Sequence, residues 1–98
     1  MKKALTQALG LKEKMDSARR DIQQLEKQLK DITDDQARLR ANLREMPQTA
    51  EAYKRYLKKF DDQETQIEDF RKKIKDLQDT EFAHRKAFED YLAKLDVE

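Results

Sequence analysis

A chain of 98 residues, 44% charged and 37% hydrophobic, holds one domain at most and too little apolar material for a thick globular core. Its formal net charge of +1, from 22 Lys and Arg against 21 Asp and Glu, argues against binding nucleic acid or a membrane surface by bulk attraction. With no cysteine there is no disulfide framework or thiolate site, and no segment is apolar enough for a signal-peptide core or a membrane span.

One glycine and one proline among abundant Lys, Glu, Asp, Gln, Leu and Ala are the composition of long helices, so the expected class is all-α. Nothing in this composition fixes the compartment, and the chain reads as a piece of a longer protein.

From Leu11 the seam runs Leu11, Met15, Ala18, Ile22, Leu25, Leu29, Ile32, Gln36, Leu39, Leu43 and Met46, in steps alternating between four and three residues. This is a heptad, with Met15, Ile22, Leu29, Gln36 and Leu43 at a and the others at d. So narrow a stripe selects a coiled-coil partner rather than a broad globular face. Upstream, Ala4 and Ala8 prolong the helix past Gly10, which costs roughly 1 kcal/mol against alanine in a helix interior. Thr33 to Gln36 match a capping box, but the heptad passes through them without a change of phase, so a continuous helix is expected.

Pro47 biases Met46 away from helical geometry and has no N–H to donate, which places helix 1 at about residues 3–45 and the turn at about 46–49. Thr49 is the expected cap of helix 2, about residues 50–96, with Glu51 near the positive end of its dipole. A turn this short joins antiparallel neighbours. The second seam runs Tyr53, Tyr56, Phe60, Gln63, Ile67, Phe70, Ile74, Leu77, Glu81, His84, Phe88, Tyr91 and Leu95, beginning at a.

Folded about the turn, facing core residues are expected to have numbers that sum to about 95 or 96, as in Leu43 with Tyr53, Leu29 with Ile67 and Ala18 with Leu77. That register sets Asp35 by Lys59, Asp21 by Lys73 and Glu26 by Arg71, while Lys12 and Arg85 meet as like charges. Within the helices, Glu26 and Lys30, Glu68 and Lys72, Asp69 and Lys73, and Asp90 and Lys94 place the acid four residues ahead of the base, the better order.

Gln36 and Gln63 are polar seam positions, expected in adjacent layers with their amides bonded to each other, a layer that costs stability but penalises slipped registers. Glu81 and His84 have the spacing of one Glu-x-x-His ligand pair, but no second His and no Cys completes a set, so a locally wet layer is expected and no metal. No nucleophile paired with a base and no Gly-rich phosphate loop occurs, so neither catalytic residues nor a cofactor are expected.

Charge is unevenly placed. Residues 36–60 hold Arg38, Arg40, Arg44, Lys54, Arg55, Lys58 and Lys59 against Glu45 and Glu51, a local charge of +5, with Tyr53 and Tyr56 among them. This tip is the candidate interaction site. Its tyrosines could stack on bases, although both also lie on the seam. At the other end Leu5, Leu9, Phe82, Leu92 and Val97 lie off the seam, where two helices alone cannot bury them. They are the candidate contact with a second copy, giving a four-helix assembly, or with a parent domain.

The run from Asp35 to Leu43, followed by Tyr53 to Tyr56 and by Gln63 and Glu64, resembles the C-terminal helical tail of certain large bacterial proteins similar to the mucoidy inhibitor A group. Those proteins carry a β-rich domain of unknown function ahead of the tail. The resemblance covers about residues 15–98; it implies a longer parent and brings no catalytic residues.

The expected protein is therefore an antiparallel two-helix coiled-coil hairpin, a non-catalytic structural or protein-interaction arm that presents a basic tip. A protein partner or self-association is expected. Binding of nucleic acid through phosphate contacts at the tip is the alternative.

Overall fold

The computed structural model describes the backbone of residues 2–97 and the side chains of residues 2–95. Val97, one of the off-seam residues, thus has its side chain outside the described set. Two helices, α1 (Lys2–Glu45) and α2 (Glu51–Val97), form an antiparallel helical hairpin, with no strand among the described residues. α1 passes through Gly10 and through Thr33 to Gln36 unbroken, and the Thr33 hydroxyl donates backward to the Lys30 carbonyl rather than capping a new helix.

The turn covers residues 46–50, one more than expected. α1 stops at Glu45, ahead of Pro47, for the reason given by proline's missing donor. The Ala50 N–H donates to the Pro47 carbonyl at 3.1 Å, and the Tyr53 N–H donates to the Ala50 carbonyl at 3.1 Å. Ala50 therefore occupies the cap position that the sequence assigned to Thr49. No hydrogen bond from the Thr49 side chain to the first turn of α2 exists among the described residues, because the hairpin closes one residue later. Glu51 does lie in that first turn and Arg44 in the last turn of α1, each of the sign its helix dipole favours.

Contacts group the chain into two compact units, Met1–Gln24 with Ile74–Glu98, and Leu25–Lys73, and each unit takes a segment from both helices. In the first, Ala8, Met15, Ala18 and Ile74 are buried; in the second, Leu39 is fully buried, alongside Ile67, Gln36 and Gln63. Every seam position from Leu11 to Leu95 is buried or half-buried, and Ala4 and Ala8 continue the stripe. Burying one leucine such as Leu39 gives roughly 2 kcal/mol, against about 0.3–0.5 kcal/mol for an exposed ion pair. Apolar packing thus carries the stability, and charges bias the alignment.

The alignment itself differs from the expected one. In the second unit Gln36 reaches Glu64 and Gln63 reaches Asp35; in the first, Arg19 reaches Glu81 and Tyr91 reaches Gln7. The numbers of these partners sum to about 98–100, centred on about 99 rather than 95 or 96. The physical reason is that reversing one helix puts its d residues opposite the other's a residues. Leu39 therefore falls level with Phe60 and Gln36 with Gln63, whereas the sequence reading set a against a.

Flanking charges follow in part. Asp35 lies 4.0 Å from Lys59 as expected, but no ion pair joins Glu26 to Arg71 or Asp21 to Lys73 among the described residues. Lys30 pairs with Asp34 at 3.0 Å instead of Glu26, and none of the other expected acid-before-base pairs forms.

Two substitutions test this account. A methyl group built on Gly10 meets nothing within 4 Å, and its backbone is ordinary helix, so Gly10→Ala should raise unfolding stability by about 1 kcal/mol in urea denaturation. Ala50→Ser supplies the missing capping oxygen and should add roughly 0.5–1 kcal/mol, while Thr49→Ala should change stability by only a few tenths of that. A large loss in Thr49→Ala would return the cap to Thr49.

Candidate functional site

Two features near the turn combine polar chemistry with defined geometry, and both belong to the unit Leu25–Lys73. The first is a buried polar layer. Gln36 Nε2 donates to Glu64 Oε1 at 2.6 Å, and Gln63 Nε2 donates to Asp35 Oδ2 at 2.6 Å. The expected amide-to-amide bond does not form. A residue at a leans toward the e flank and one at d toward the g flank, so Gln36 meets the e residue Glu64 and Gln63 meets the g residue Asp35. One buried group, Gln63 Oε1, is left without a partner.

Asp35 is the hub of this layer. Its second oxygen accepts from Arg38 Nε at 3.1 Å and from Arg38 Nη2 at 2.9 Å, and Lys59 stands 4.0 Å away. The Arg38 guanidinium, and after it the Gln63 amide, hold the Asp35 carboxyl below its ordinary range.

The second feature is the basic tip. Arg38, Arg40, Arg44, Lys54, Arg55, Lys58 and Lys59 are all exposed. They divide by flank. On the side built from c and g positions, Asp35 engages Arg38 and Lys59, while Arg55 has no ion-pair partner among the described residues. On the side built from b and e positions lie Arg40, Arg44 and Lys54, bordered by Lys58, and none of these four has an ion-pair partner among the described residues. Arg40 stacks its guanidinium 5.5 Å from the Phe60 ring centre. Leu57, at an e position on this same side, is exposed and was missed in the sequence, though its place one step off the seam was the available signal. Tyr53 and Tyr56 are half-buried seam residues, which limits the face they can offer to a stacking base.

In the other unit, Leu5, Leu9, Phe82 and Leu92 are exposed as expected. The Glu81 carboxylate accepts from Arg19 Nε at 3.0 Å, and its side chain is largely buried at the edge of a groove lined by Arg19, Gln78 and Arg85. His84 is half-buried beside a groove lined by Gly10, Lys14, Ala18 and Leu77. No group of three or more His, Cys, Asp or Glu gathers among the described residues, and no helix there is long and apolar enough to cross a membrane.

The arrangement is suited to recognition by charge and hydrogen bonding at an open surface. No family model, curated protein or solved structure matches the chain.

The Asp35 arrangement predicts a pH dependence with a definite sign. A carboxyl whose folded pKa lies below its unfolded value stabilises the fold above the ordinary carboxylate range near about 4 and loses that contribution as pH falls through the lowered value. Urea midpoints for the native chain should drop across that interval, and Asp35→Asn should flatten part of the drop. An unchanged profile in Asp35→Asn would remove Asp35 from the account.

Proposed function

We propose that this hairpin is a non-catalytic coiled-coil arm whose basic tip engages an acidic protein surface. The two-helix fold is that of a structural arm, and the observation that supports the reading is the group Arg40, Arg44, Lys54 and Lys58, exposed on one side without acidic partners, with Leu57 among them. Cations spent in internal pairs, like Arg38, contribute little attraction to a partner; unpaired ones retain theirs. An exposed leucine within the patch suits an acidic amphipathic helix, which offers both carboxylates and an apolar stripe. If the chain is the tail of a longer bacterial protein, this arm holds the tip away from the parent.

Nucleic acid is the alternative ligand, favoured by the same cations. The half-burial of Tyr53 and Tyr56 counts against it, since single-strand binders stack bases on open aromatic faces.

Fluorescence anisotropy with a Glu-rich amphipathic peptide and with single-stranded RNA, each titrated at several salt concentrations, tests both. The peptide should bind at about 100 mM salt, and the pair Arg44→Glu with Lys54→Glu should weaken it at least tenfold. RNA binding with a steep salt dependence and no peptide binding would replace this reading with the alternative. Absence of both at low salt would remove the tip as an interaction site.

A further inference from the structure

The flank that carries the free cations does not stay basic along its length. Gln36 reaches Glu64, and Arg40 lies over the Phe60 ring at 5.5 Å. An a residue of each helix thus touches an e residue of the other, so the two e rows of the unit Leu25–Lys73 share one flank. In the observed register Arg44 is level with Lys54 and Arg40 with Lys58, and the exposed Leu57 stands between these two levels.

Farther from the turn the sign changes. Asp61, Glu64 and Glu68 follow on the b and e rows of α2, and Asp61 and Glu68 are exposed with no ion-pair partner among the described residues. Glu64 spends one oxygen on Gln36. On the same rows of α1, beside these acids, stand the uncharged Ala37 and Thr33 and then Lys30, whose ammonium is taken by Asp34. Arg71 ends the acidic run. The flank is therefore basic around Leu57 and acidic beyond it, with the two centres about 12 Å apart, roughly two helical turns at 1.5 Å per residue.

From this order we propose that the partner of the flank is an amphipathic helix whose charge reverses along one face. Its acids, with an apolar residue among them for Leu57, lie against the basic segment, and its Lys or Arg residues, about two turns on, lie against Asp61 and Glu68. The inference rests on the reading of the tip as a site for an acidic helix and narrows that partner. A helix acidic throughout would gain the tip's cations but set its outer carboxylates against Asp61 and Glu68, like against like. Charge reversal satisfies both segments and fixes the polarity, acidic end toward the turn, because turning the partner around would oppose like charges over both segments. Ala37 and Thr33 stand low beside the acids, so a partner's long basic side chain can lie across them and reach the carboxylates of α2.

Anisotropy of labelled helical peptides titrated with the full chain at about 100 mM salt tests this. The peptides are a short acidic block, the same block continued by a lysine block, and an isomer of the longer peptide with its charges intermixed. The block peptide should bind about fivefold tighter than the isomer. Asp61→Lys with Glu68→Lys, both exposed and outside the seam, should abolish that advantage while the short acidic peptide binds at least as well as before. The chain holds no cysteine, so Gln48→Cys places a single nitroxide at the turn, where it should broaden the NMR signals of the acidic half of the block peptide and spare the lysine half. Equal binding of block and intermixed peptides, an advantage that survives the double substitution, or a lysine half lying at the turn overturns this inference and leaves the tip reading standing on the short acidic peptide. Binding of none of the three overturns both.

Discussion

A hairpin of two helices has a single line of contact, and everything else in this protein depends on keeping that line dry. Each helix can bury only its a and d positions, so a seven-residue rhythm must hold without interruption on both arms. It does, from Ala4 to Leu43 and from Tyr53 to Leu95, and the turn at residues 46–50 is placed so that the two rhythms meet a against d. The buried polar residues of the seam, Gln36 and Gln63, fall opposite each other rather than opposite leucines, which confines the cost of burying amides to one layer. Asp35 and Glu64 then satisfy the donors of that layer from the flanks, and Arg38 in turn neutralises Asp35.

The fold class, both helices and the end of α1 at Pro47 were legible because helix composition, proline geometry and heptad spacing all point the same way. The register was less so. Spacing on each arm gives the phase of that arm, but the offset between arms depends on how reversed helices interdigitate, and setting a against a moved the expected core pairs by three or four residues. That one error explains why Gln36 and Gln63 were placed in neighbouring layers; their amides bond to Glu64 and Asp35 because those carboxylates flank the layer. The sequence did contain the correct pairs: Asp35 precedes Gln36 just as Glu64 follows Gln63, and with a set against d these two steps are complementary. The cap was misplaced for a different reason. Thr49 is the better capping residue, yet turn closure from Ala50 to Pro47 decides which residue stands at the helix start, and closure is a property of the pair of arms.

Function divides along the same geometry. The two flanks of a hairpin are chemically independent, because e positions of both helices share one and g positions the other. Near the turn the g flank pairs Arg38 and Lys59 with Asp35, whereas the e flank keeps its cations and Leu57 uncovered. In the other unit the e flank again carries the exposed apolar groups. The surplus apolar surface of each unit is thus on its e side, while ion pairs form on both sides, Arg38 and Lys59 with Asp35 on one and Arg19 with Glu81 on the other.

The polar layer also has a kinetic meaning. Pairs close to the turn join residues near in sequence, so they form at the least loop-closure entropy, and contacts farther out follow as each closed pair shortens the next loop. Asp35 and Gln63 are separated by 28 residues, whereas Gln7 and Tyr91 are separated by 84. An arm that begins to zip out of register would bury two amides without acceptors at the nearer of these contacts, and would stall there. The layer therefore acts as a proofreading step, rejecting a misaligned hairpin while most of its length is still unpaired and free to start again.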